Sequence, residues 1–109
     1  MPEPIELEPG FAAELDEDVT YYPTSPTTAY DKVLDRHSNW VGIHEWHLNK
    51  GKRCGGFVTF DTPEAREVTT PQAPKWTVES WIPLTLSPSL LCRVCGHHGF
   101  LRRDRWEAC

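Results

Sequence analysis

Two cysteines separated by two residues and followed at once by glycine, Cys92-Arg93-Val94-Cys95-Gly96, constrain this chain more than any other stretch. The spacing lets both thiolates face one ion, and glycine there frees the backbone to turn toward the sulfurs. Such a knuckle is half of a tetrahedral site. Two further ligands must come from elsewhere, and the chain offers Cys54, His98 and His47, with His44, His97 and Cys109 behind them. Cys54 stands in a glycine-flanked turn, Arg53-Cys54-Gly55-Gly56, that leaves room for a metal to approach. His98, three residues from Cys95, ranks ahead of His47, which would enter from the strand before the Cys54 turn. His97 is expected to face solvent, and Cys109 to stay a free thiol. The expected cofactor is one structural Zn2+ per chain.

Size makes a staple necessary. A chain of 109 residues with 39% hydrophobic content and ten prolines has little material for a large interior, although five tryptophans supply part of it. The first residues show neither the basic nor the apolar segment of a secretory signal, and no stretch is long and apolar enough to span a membrane. A reducing cytoplasm is therefore expected, where a Cys-x-x-Cys pair more often binds metal than forms a disulfide.

Charge divides the chain in two. Residues 1–31 hold eight acids and no lysine or arginine, a charge of −8, whereas residues 32–109 carry +3. Residues 1–29, with prolines at 2, 4, 9, 23 and 26, read first as a flexible acidic leader, and second as an arm that packs on the basic body or mimics a polyanion to a partner. Residues 30–109 read as the metal-binding domain. Residues 29–36 are the one stretch with helical spacing, through Tyr30, Val33 and Leu34. Strand-forming residues dominate afterward. Residues 40–48 and 55–60 are expected to form a hairpin around the turn at 49–53, and residues 61–74 a polar loop. Residues 75–81 alternate, residues 83–90 make a strand broken by Pro88, and 99–102 with 105–107 form a closing hairpin. The fold class that follows is mainly β: a small zinc-stabilised antiparallel domain, zinc-ribbon-like, with one short helix.

Catalytic patterns fit poorly. His44-Glu45-Trp46-His47 is one residue short of a zincin helix, and on a strand its two histidines would face opposite ways. The zinc-deaminase pattern also fails, because Leu91 stands where its proline should be. Four protein ligands leave no position for water, so catalysis is not expected. Binding is the expected role, with Trp46, Arg102, Arg103, Arg105 and Trp106 as the contact residues. A host protein is the first partner. Nucleic acid is the alternative, through these residues with Lys50, Lys52, Arg53, Arg93 and Phe100.

From residue 54 to residue 106 the chain resembles small zinc-binding proteins of unknown function from actinobacterial phages and related bacterial families. The residues that carry the likeness are Cys54-Gly-Gly-Phe-Val-Thr-Phe-Asp61, Trp76-Thr-Val-Glu-Ser-Trp81, Pro83-Leu-Thr-Leu-Ser-Pro-Ser89 and Cys92-Arg-Val-Cys95-Gly-His-His98-Gly-Phe-Leu-Arg102. The resemblance implies Cys54, Cys95 and His98 as ligands, with Cys92 or His47 completing the set. It implies a phage-encoded protein acting in the host cytoplasm, or a minor virion component, and names no activity.

Overall fold

The computed structural model describes residues 4–109, so the first three positions of the expected leader lie outside the described residues. Among them the chain runs α1 (Pro9–Ala12), β1 (Tyr22–Ser25), β2 (Thr28–Leu34), β3 (Trp40–Asn49), β4 (Lys52–Thr59), α2 (Pro63–Glu67), β5 (Thr77–Trp81), β6 (Leu84–Ser87), β7 (Leu90–Leu91), β8 (His98–Arg102) and β9 (Arg105–Ala108). The mainly β, antiparallel character read from the sequence is present. Strands β1 to β4 form one sheet in chain order, β5 pairs with β6, and β7, β8 and β9 form a third sheet.

The core lies where these sheets meet. Tyr30, Val41, Ile43, Val58 and Phe60 from the large sheet pack with Leu84 and Leu86 of β6, Leu90 of β7 and Leu101 of β8. Strand alternation explains which residues go in: Ile43, Glu45 and His47 share one face of β3, and that face is buried. A parallel bridge between Phe60 and Trp76 ties the end of β4 to the segment before β5, with Trp76 N–H donating to Thr59 O.

Three expectations about the polypeptide change. Residues 29–36 are not a helix; most of them belong to β2. The trio Tyr30, Val33 and Leu34 has helical spacing, but β1 and β3 pair with both edges of this segment, and Leu34 is left 52% exposed. Tertiary pairing outweighs weak local propensity here. The polar loop at 61–74 contains α2, started by Thr62, whose hydroxyl accepts from Ala65 N–H, with proline in the first helical turn. Thr62-Pro63 is a helix-start signal that the proline count obscured.

The third change concerns the leader. Residues 22–25 are a strand of the large sheet, Glu8 N–H donates to Pro26 O, and Phe11 is fully buried. Proline at 23 is tolerated because β1 is an edge strand. Phe11→Ala is therefore expected to destabilise the protein by roughly 3–5 kcal/mol in chemical denaturation, the usual cost of emptying a buried phenylalanine site. A change below about 0.5 kcal/mol, typical of a surface position, would restore the flexible leader.

Two hairpins end in two-residue turns with both central residues at positive φ. Lys50 and Gly51 have φ of 54° and 77°, and Arg103 and Asp104 have 52° and 58°. These are the turns whose twist matches that of paired strands. The second turn has no glycine, and neighbours hold it instead. Tyr30 O–H donates to Asp104 Oδ1 at 2.7 Å, Asp104 N–H to Leu84 O at 2.9 Å, and Arg103 N–H to Thr85 Oγ1 at 3.0 Å. The expected closing hairpin is there, and burial together with Asp104 pushes the Tyr30 phenol well above its ordinary range.

Candidate metal centre

The turn at Lys50-Gly51 fixes the register of β3 on β4, and that register sets His47 directly opposite Cys54. Facing residues on an antiparallel pair point to the same side. An imidazole and a thiol thus leave the hairpin together, on its buried face. The knuckle arrives from β7. Cys92 N–H donates to His97 O and Gly96 N–H to Cys92 O, which folds residues 92–97 into a tight loop with Gly96 at φ 79°. Asn49 Nδ2 donates to Cys95 O at 3.3 Å and pins the loop to the end of β3.

Together these elements bring His47, Cys54, Cys92 and Cys95 into one group, with ligand atoms all within 4.8 Å of one another. His47 Nε2 lies 3.1 Å from Cys95 Sγ. Ligands on a tetrahedral ion with metal–sulfur bonds of about 2.3 Å stand roughly 3.5–3.8 Å apart, so the donor set fits an ion with small adjustments. The four residues are close enough to hold a metal ion. The other nitrogen of His47, Nδ1, is 2.8 Å from Glu45 Oε2. A carboxylate behind a histidine fixes which ring nitrogen faces the metal and makes it a better donor. Glu45 was not among the sequence candidates, yet Glu-x-His on a strand puts both side chains on one face, which was its available signal.

The side chains of the cluster shift one another's protonation. Burial pulls the His47 imidazole down, but the bond to Glu45 and its charge, with Cys95 and Cys92, outweigh this and hold it at about 9. Burial raises the Cys95 thiol, yet hydrogen bonds from Asn49, the His97 backbone, His47 and Cys92 bring it to about 6. Cys54 is pushed up to about 11, by burial first and then by Cys95 and Cys92. An ion that binds these side chains displaces the protons they carry, so its affinity should rise with pH.

The other candidates fall elsewhere. His98, ranked ahead of His47, points away from the cysteines, and its Nε2 lies 2.7 Å from Ser89 Oγ. The turn at Gly96 reverses the chain so that His97, rather than His98, looks back at the hairpin. His97 does not face solvent: its ring is stacked between His47 at 4.3 Å and Trp106 at 4.7 Å. His44 is on the opposite face of β3, 3.2 Å from Asp31, as an odd separation from His47 on a strand requires. Cys109 is exposed and free.

The expected contact residues do not all adjoin the metal cluster. Trp46 faces away from the cluster, donating from Nε1 to Asp31 at 2.8 Å, with Arg53 over its ring and Gly55 beneath. Arg102 pairs with Glu107 and lies over Phe100, and Arg103 stands in the turn between β8 and β9. That turn is at the far end of β8 from the knuckle, and Arg105 is its half-buried return residue. Of the five, only Trp106 adjoins the metal cluster, through His97.

No family model, curated protein or solved structure matches this chain.

Proposed function

We propose that this protein is a small, zinc-ribbon-like binding module in which one structural Zn2+ clamps the β3–β4 hairpin to the knuckle. The carrying observation is the group of three cysteines and one histidine drawn from two distant segments. Three soft thiolates and an imidazole in a compact shell suit zinc among the common metals. Four protein ligands close the shell, and the ion then acts on the fold rather than on a substrate.

The knuckle so fixed holds Leu91 56% and Val94 85% exposed. Exposed apolar side chains on a rigid loop favour a protein partner. The dispersal of Trp46, Arg102, Arg103 and Trp106 weighs against a single stacking and phosphate-binding surface, so a protein stands ahead of nucleic acid. In line with the resemblance over residues 54–106, the module is read as phage-encoded, acting on a host protein in the host cytoplasm. Zinc-loaded protein is expected to retain a host protein from lysate, and the Cys92→Ser/Cys95→Ser double variant to lose it. Equal retention by both would remove the clamp from the function, and salt-sensitive retention on DNA cellulose would move the reading to nucleic acid.

A further inference from the structure

Among the described residues, three buried side-chain polar atoms have no hydrogen-bond partner: Glu45 Oε1, His97 Nδ1 and Trp106 Nε1. All three residues line one cavity of about 140 Å3, between β4 and the knuckle. Buried polar atoms without partners are rare, so three around one space point to something that enters it. The way in is along β4. Among the described residues that strand has β3 on one side, and on the other only the bridge at its end, between Phe60 and Trp76. Phe60 N–H bonds to Val41 O, and Thr59 O accepts from Trp76 on the outer side. Antiparallel alternation then turns the backbone groups of Phe57 and Gly55 outward as well. They form an unpaired strand edge.

Gly56 is the second observation. Glycine inside a strand weakens it and needs a reason. Gly55 has one, since a Cβ there would collide with the Trp46 ring. Gly56 has none within the chain: a Cβ would meet nothing within 4 Å, and its φ is not positive. It lies directly opposite Glu45 on β3, on the cavity side. With no side chain at 56, a residue on a strand added outside β4 can reach over it to Glu45. Two strand spacings are roughly 10 Å, which a long side chain and a glutamate can span together.

We propose, building on the reading of a zinc-clamped module, that the chain binds an extended peptide along the free edge of β4, with one lysine or arginine side chain of that peptide passing over Gly56 to the buried carboxylate of Glu45. The chemistry of the cavity selects that side chain. Glu45 gives one oxygen to His47 and keeps the other bare, and a zinc site with three thiolates adds a further negative charge beside it. A cationic head on an apolar stem suits a carboxylate reached past Val58, Leu90 and Trp76. The volume is enough for the end of one long side chain, and the bare carboxylate rather than the size selects a cation. His97 Nδ1 can accept a second hydrogen of the cation, and Trp106 Nε1–H can donate to a carbonyl of the peptide. Among the described residues Arg93 is the one lysine or arginine on the wall, and it is exposed, where solvent and salt screen it; His47, also on the wall, is neutral when it ligates the zinc. Strand addition of this kind takes affinity from main-chain bonds and specificity from the side-chain pocket.

The test uses the zinc-loaded full chain, labelled with 15N and titrated with acetyl-Thr-Val-Lys-Val-Thr-amide or the same peptide with norleucine at the centre. The lysine peptide is expected to shift the amides of Gly55, Gly56 and Phe57 and the Trp106 indole, and to bind about tenfold or more tightly than the norleucine peptide. Gly56→Val is expected to abolish this binding while zinc stoichiometry and melting temperature stay as they were. Should that variant fold poorly, Glu45→Gln gives a second measure: the preference for lysine over norleucine should fall to about one. Equal affinity for the two peptides, no binding of either, shifts confined to another edge, or full affinity in Gly56→Val would each overturn the proposal. None of these results touches the metal clamp, which fails only if zinc is absent or dispensable for the fold.

Discussion

Removing the metal with a chelator is expected to lower the melting temperature by about 15 °C or more. Structural zinc sites contribute an apparent ~10–16 kcal/mol in small peptides, and a domain of this size has a net stability of roughly 5–15 kcal/mol. Even a quarter of the site's contribution would be a loss of several kcal/mol, and each corresponds to about 4–8 °C in a small domain. The damage should be local first. The core of Ile43, Phe60, Leu84 and Leu86 does not depend on the ion, whereas the knuckle is held by a few backbone bonds and by Asn49. Hydrogen exchange should therefore quicken at the amides of Cys92 and Gly96 before it does in β3. A melting temperature within about 3 °C of the loaded protein, less than 1 kcal/mol is worth, would make the metal incidental.

His47→Ala is expected to weaken metal binding by at least about a hundredfold, whereas His98→Ala should leave it unchanged. Losing a partner behind a ligand costs roughly 10- to 100-fold, and losing the ligand itself should cost no less. Replacing His47 also strips the Glu45 carboxylate of its one partner among the described residues, so stability should fall with affinity. Among the described residues the His98 side chain bonds only to the half-buried Ser89 Oγ, a bond worth about 1 kcal/mol. Competition against a chromogenic chelator measures both variants on one scale. The reverse order would return the fourth position to His98.

The two histidines also show what the sequence could reveal and what it could not. Spacing was enough for Cys92 and Cys95, because two residues between cysteines is a local geometric relation. Cys54 was legible from its glycine neighbours. The choice between His47 and His98 was not, since it depends on the direction of the chain after Gly96 and on the pairing register of β3 with β4. Both are tertiary facts, and a shift of one residue in that register would have turned His47 to the other face. The hairpins at residues 50–51 and 103–104 could be read because alternation and turn residues act over a few positions. The segment at 29–36 could not, as its spacing fitted a helix and only strands from both sides made it β2. Phe11 and β1 were masked by acidic and proline-rich surroundings, a composition that describes an average and misses one buried aromatic ring.

X-ray absorption at the zinc edge of the purified, metal-loaded chain tests the central claim most directly. The account predicts one zinc per chain with three sulfur neighbours at about 2.3 Å and one nitrogen at about 2.0–2.1 Å. A shell rich in oxygen, fewer than three sulfurs, or protein that folds fully with no bound metal would contradict it.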